Sequence, residues 1–182
     1  MSHLTAGSLL VASPDIDDDL FSRAVLLVCE HSQVGSFGVI INKPLQGGLP
    51  PELSELEHIG KDKLMTRIGG PIQPDQMMLL HTSPDIPSET LCVTEGVYLG
   101  GDADFLQKTL ESTDPIIITF GYMGWGEGQL EQEFLSGLWY LHPATPSHVF
   151  HIAPELLWRV ALREMGGKYA TLSMMPDDLS LN

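Results

Sequence analysis

Basic residues are scarce in this 182-residue chain: nine Lys and Arg stand against 24 Asp and Glu, for a formal charge of −15. Nucleic-acid binding draws on cations that neutralise phosphates and release counterions, so the composition argues against direct contact with DNA. Anionic lipid surfaces repel such a chain for the same reason. Lys61, Lys63 and Arg67 lie close enough in sequence for a small basic patch, but it would work against the field of the whole molecule. Cysteine is scarce too. Cys29 and Cys92 are too few and too far apart for a disulfide framework, and both lie in apolar strand-like runs, which predicts buried free thiols in a reducing compartment. No apolar run approaches the roughly 20 residues of a bilayer span. The opening Met1-Ser-His-Leu-Thr-Ala-Gly7 lacks the basic segment of a secretory signal. These absences read as a cytoplasmic chain, and its 43% hydrophobic share supplies one core-bearing domain spanning residues 1–182.

What the chain does have is a glycine-rich stretch, Gly121-Tyr-Met-Gly-Trp-Gly-Glu-Gly128. Before it, Ile116–Phe120 reads as a buried strand. After it, Leu130, Phe134 and Leu138 recur at the spacing of one helix face. The glycines predict a pliable loop that displays Tyr122 and Trp125, since glycine takes positive φ and admits close neighbours.

The rest of the chain divides without an internal repeat, low-complexity segment or linker. Leu9–Ala12 and Ala24–Cys29 read as strands, the second apolar on both faces and so central. A turn at His31–Gly35 and a returning arm, Phe37–Ile41, make a hairpin. Glu52–His58 reads as a short helix, Arg67–Pro71 as a tight turn, Met77–His81 as a strand and 82–89 as a loop. Leu91–Thr94 and Val97–Leu99 form a second hairpin. Asp102 caps a helix through Leu110. Leu141–Ser147 reads as a loop, Val149–Ile152 as a strand, and Pro154–Met165 as a helix ended by Gly166-Gly167. The core spans about 4–166, and from about 174 the tail reads as loose. Early hairpins followed by alternating strand and helix predict an α+β domain with a mixed, largely antiparallel sheet flanked by about four helices.

Several segments together resemble the AlgH/YqgE family of small bacterial proteins. They are Ala12-Ser-Pro14, Cys29-Glu-His31, Gly38-Val-Ile-Ile-Asn-Lys-Pro44, Gly69-Gly-Pro71, Leu80-His81 and Gly121-Tyr-Met-Gly-Trp-Gly-Glu-Gly-Gln-Leu-Glu131. Met123 and Ser32 depart from the pattern, where a smaller residue and asparagine are expected. The resemblance implies a compact α/β fold and membership of a family of uncharacterised function, some of whose members are described as transcriptional regulators. It carries over no catalytic residue.

Candidate residues follow from the chemistry each could support. The glycine stretch before a helix is suited in principle to anions, but its spacing fits neither phosphate motif and no Lys follows. Glu127, Glu131 and Glu133 oppose a phosphate there and complement the helix dipole. Cys29 and His31 fall on one strand face with Glu30 on the other, yet Val25 and Leu27 surround the thiol with apolar groups that leave it inert. His148 and His151, with His142 upstream, would face opposite sides of a strand, so no metal and no cofactor is predicted. His31 and His81 suit backbone groups at strand ends. Asn42 would anchor its turn, and serves binding only if it meets Trp125. The favoured reading is a noncatalytic binding protein with a regulatory role, engaging a protein or small molecule through Tyr122, Trp125, Glu127, Gln129, Glu131, His31 and Asn42. The alternatives are a small hydrolase-like enzyme using Cys29 or His31 with Glu30 or Glu131, and a DNA-binding regulator.

Overall fold

A computed structural model describes residues 3–56, 58–59, 64–84 and 90–177. Its strands are β1 (Ser8–Ala12), β2 (Val25–Ser32), β3 (Gly35–Ile40), β4 (Leu64–Ile68), β5 (Ile72–His81), β6 (Leu91–Thr94), β7 (Val97–Leu99), β8 (Ile116–Gly126) and β9 (Trp139–Pro143). The α-helices are α1 (Ala103–Leu110), α2 (Gln129–Leu135), α3 (Pro154–Met165) and α4 (Gly167–Leu172). Strand order is β6-β7-β5-β8-β3-β2-β1-β9, with β4 also on β8. Every pairing is antiparallel except β4 with β8, so the sheet is mixed and largely antiparallel as predicted.

β8 is the spine of this sheet. Along one edge it pairs with β5, and along the other first with β4 and then with β3. The expected pliable loop is therefore strand as far as Gly126. Its glycine at 121 answers a packing need: the Gly69-Gly70 link between β4 and β5 crosses β8 there. A Cβ on Gly121 would lie 2.3 Å from the Gly70 carbonyl oxygen, and one on Gly70 would lie 2.2 Å from that of Tyr122. The predicted turn at Arg67–Pro71 is thus a backbone crossing, preceded by a strand that the sequence reading missed.

Alternation along the strands sorts their side chains into two faces. Leu9, Val11, Val25, Leu27 and Cys29 join a cluster with Leu157, Trp158, Ala161 and Leu162 of α3. Leu10, Leu26, Val28 and Ile40 join the opposite cluster with Trp125, Leu130 and Trp139. A third cluster places Leu106 and Leu110 of α1 against Leu79, Ile116 and Ile118. Each fully buried aliphatic side chain contributes roughly 1.5–3 kcal/mol by leaving water. Asp102 caps α1 as predicted, accepting the Phe105 N–H at 2.8 Å. Pro154 begins α3, and the Trp158 indole donates to the Ala12 carbonyl at 2.9 Å, fastening that helix to β1.

The other departures have local causes. Residues 139–143 form an edge strand paired with all of β1, and Pro143 is tolerated because it sits at an edge. The expected strand at Val149–Ile152 is a π-helical turn over Ser147–His151. The expected helix from Glu52 is a 3-10 turn over Pro51–Leu56; residue 57 lies outside the described residues, as do Lys61 and Lys63 of the basic patch, 85–89 of the expected loop, and 178–182 of the tail. Within the described part of the tail, Asp177 makes two ion pairs. Asp177 accepts from Arg23 at 2.9 Å and Arg159 at 2.7 Å. Among the described residues no helix is long and apolar enough to cross a membrane.

Candidate functional site

The β2–β3 hairpin gathers most of the polar candidates, and a bulge decides which side they occupy. Val28 pairs with Gly38 but Glu30 with Phe37, so the ladder slips at Cys29. Residues directly opposite share a face. Ser36 lies opposite both His31 and Trp125, on the Trp125 face, whereas Phe37 and Cys29 belong to the α3 face. The bulge therefore puts Cys29 and His31 on opposite faces, against the expectation of a shared one. Burial pushes the Cys29 thiol up to about 12, and its Sγ lies 3.6 Å from the Leu27 carbonyl. It cannot partner His31 in nucleophilic catalysis. Cys92 departs from prediction as well, for it is exposed.

His31 instead bridges three elements. Its Nδ1 lies 2.5 Å from Ser36 Oγ on β3, and its Nε2 lies 3.2 Å from Glu131 Oε1 in the first turn of α2. The expected backbone partner is replaced by two side chains. His81 does serve backbone, accepting the Ser83 N–H at 3.2 Å. It stacks on Tyr98 and meets Phe105, and burial pushes its pKa down.

α2 is seated on this corner by Leu130, which is fully buried, and by Gln129, whose Oε1 accepts the Gly126 N–H at 3.1 Å. Gly128 takes φ 72° to turn strand into helix. Glu127 and Gln129 are exposed, and Glu131 is half-exposed. Val34, at the hairpin turn, is 84% exposed. Together these residues form a polar tip with one apolar point.

The two aromatics do not belong to that surface. Trp125 is 4% exposed, packed with Leu26, Ile40, Leu130 and Trp139, and its indole nitrogen has no partner among the described residues. Tyr122, three residues back, points to the other face and meets the Phe37 ring edge-on at 6.3 Å. Display of both rings on one loop is corrected: along a strand, an odd separation sends them to opposite sides. Asn42 is corrected likewise. It lies about 20 Å along the chain from Ser36 at roughly 3.3 Å per residue, past the other end of β3. Its Oδ1 accepts the Val25 N–H at 2.8 Å and its Nδ2 donates to the Arg23 carbonyl at 2.9 Å, which makes it the anchor expected for its turn.

The sequence reading grouped His142 with His148 and His151 but missed Glu164, on which two of these histidines converge. His142 of β9 and His148 of the π turn both place Nε2 on Glu164 Oε2 of α3, at 2.9 and 2.7 Å. The strand expected at 149–152 hid this, because a π turn and not a pleat aims His148. Two imidazoles and a carboxylate are a metal-capable set. However, the Thr145 N–H donates to His148 Nδ1 at 3.0 Å, leaving the neutral ring's proton on Nε2 to donate to Glu164. Metal-bound histidines carry the reverse arrangement, with the distal nitrogen donating, so the trio suits a hydrogen-bonded clasp better than a metal. Burial opposes ionisation of Glu164, but the hydrogen bonds and charges of His148 and then His142 outweigh it and hold the carboxyl below its usual range.

Comparison with known proteins agrees with the fold. The family model described as AlgH-like matches residues 9–170. A UPF0301 protein of Chlamydia pneumoniae is 49% identical over 183 residues, covering 100% of this chain and 97% of the relative. One from Chlorobium limicola is 37% identical, covering 98% and 96%. Among solved structures, the AlgH protein of Pseudomonas aeruginosa is similar with a TM-score of 0.72 and 27% identity, covering 98% of this chain and all of that one. A protein of Corynebacterium diphtheriae shares the fold at TM-score 0.79 and 20% identity, covering 96% and 94%.

Proposed function

The chain belongs to the AlgH-like family, and from the geometry of its own residues we propose a noncatalytic binding protein that docks a partner on the tip formed by His31, Ser36, Glu127, Gln129 and Glu131. One observation carries the reading: His31 ties β2, β3 and α2 into a fixed corner through Ser36 and Glu131. A rigid, carboxylate-bearing corner with exposed Val34 at its point suits a protein with a basic face better than a small molecule, which needs a concavity. A regulatory role would then act through that partner and not through DNA, since the charge of −15 opposes phosphate contact. The reduced thiols of Cys29 and Cys92 suit the cytoplasm. The test is a photo-crosslinking side chain placed at Gln129 and, as a control, at exposed Gln107 of α1, in the native host. A discrete protein adduct from position 129 alone is expected; equal or absent adducts from both would reject the tip.

A second reading has its own observation. Hydroxyl, imidazole and carboxylate stand in line as Ser36, His31 and Glu131, the order of an acyl-transfer triad. A fluorophosphonate probe decides between the two. The binding reading expects no labelling of native protein, whereas labelling of Ser36 that disappears in His31→Ala would establish the hydrolase.

A further inference from the structure

Beyond the far end of β3 from the tip, Arg67 of β4 is only 6% exposed. Its Nε donates to the Ile41 carbonyl at 3.0 Å and its Nη1 to the Thr66 carbonyl at 2.9 Å. Both partners are neutral. Among the described residues no carboxylate lies within 4.0 Å of the guanidinium, and Nη2 has no acceptor. A buried cation without an anion is costly, and arginine cannot escape the cost by losing its proton.

Arg67 lines a cavity of about 970 Å³. The walls are otherwise mostly apolar, with Leu45, Leu49, Leu64, Phe150 and Ile152 contributing, while exposed Glu155 stands at the edge. The π turn over Ser147–His151 supplies Phe150, and such turns recur at ligand sites because they displace side chains from regular helix positions. Drug-sized ligands occupy cavities of roughly 300–1,000 Å³ with apolar walls and few polar anchors. Among the described residues the one carboxylate whose charge reaches this guanidinium is that of exposed Glu155, beyond salt-bridge distance, so a cation retained at such a wall suits an anion that enters from solvent.

We propose that this cavity binds a small organic carboxylate with an apolar body, its carboxylate on the Arg67 guanidinium and its hydrocarbon against Leu45, Leu49, Leu64 and Phe150. The guanidinium fork matches a carboxylate, and a charge-assisted pair is among the stronger polar contacts. The hydrocarbon excludes the water that would weaken it. This site lies apart from the tip and does not rest on the reading given to it.

Calorimetric titration of the whole protein with decanoate, decanol and inorganic phosphate tests the assignment. Decanoate should bind saturably at one site, and decanol, which keeps the tail but lacks the charge, at least about tenfold more weakly. Arg67→Met should lose at least about tenfold in decanoate affinity. Should that variant fail to melt cooperatively, Leu49→Trp, which narrows the cavity and leaves Arg67 in place, should show the loss instead. Absence of saturable decanoate binding to wild type, or equal affinity for decanoate and decanol, would overturn the proposal. So would phosphate competing as tightly as decanoate, which would make this a plain anion site.

Discussion

The two ends of β3 handle charge in opposite ways. At the Ser36 end, carboxylates stand in solvent and a histidine is held between a hydroxyl and Glu131. Beyond the Ile40 end, a guanidinium is buried against a largely apolar cavity, hydrogen-bonded among the described residues to carbonyls alone, with Glu155 standing further off. Exposed carboxylates are well hydrated and cost little, so the tip can carry several. A buried cation is tolerated singly, where carbonyls and a ligand can replace water. Negative charge is therefore plentiful on the outside, while among the described residues Arg67 is the one Lys or Arg taken fully inside.

The comparison breaks first beneath the tip. Trp125→Ala should cost about 3–5 kcal/mol through the cavity it leaves, read as a lower denaturant midpoint. A melting temperature within a few degrees of wild type would return Trp125 to the surface. Gly70→Ala should cost about 3 kcal/mol, the upper end of ordinary overpacking, because its Cβ would meet Tyr122 backbone at 2.2 Å. Such a loss, measured in the same way, would show that the crossing of β8 supports the cavity end. An undiminished midpoint would mean that the link can move aside.

Smaller effects separate anchors from surface. Asn42→Ala leaves the Val25 N–H and the Arg23 carbonyl without partners and should cost about 1–3 kcal/mol, whereas Glu131→Gln, at a half-exposed pair, should cost less than about 1 kcal/mol. Equal losses in urea titrations would mean that the tip is structural after all. The gentlest test is pH. The Glu164 carboxyl is held below its ordinary value of 4.5 in the folded state, so its contribution is present above that value and fades as pH falls through the folded pKa. Glu164→Gln should flatten the acid limb of the stability profile below about pH 4.5, and an acid limb identical to wild type would mean that the two histidines do not hold this carboxylate.

The sequence by itself determined the class of fold and the elements whose cause is local. Continuous apolar runs named β1 and β2, the Asp102 cap named α1, and Pro154 with Gly166 bracketed α3, since each signal lies within a few residues of its effect. The family segments, too, lie in contiguous stretches. What only tertiary structure decided depends on partners far along the chain. The glycines around Trp125 read as a loop until Gly70 is seen pressed against Gly121, and a sequence pattern cannot distinguish glycine needed for flexibility from glycine needed for contact. The bulge at Cys29 reverses the side on which His31 stands, and register is a property of two strands and not one. Arg67 stood in plain sight within Leu64-Met-Thr-Arg-Ile68, a lone charge in an apolar pattern. Its burial against a cavity follows from β4 lying parallel beside β8 and from the π turn that supplies Phe150. A strand shows which residues alternate, but what covers each face is set by the elements that pack upon it.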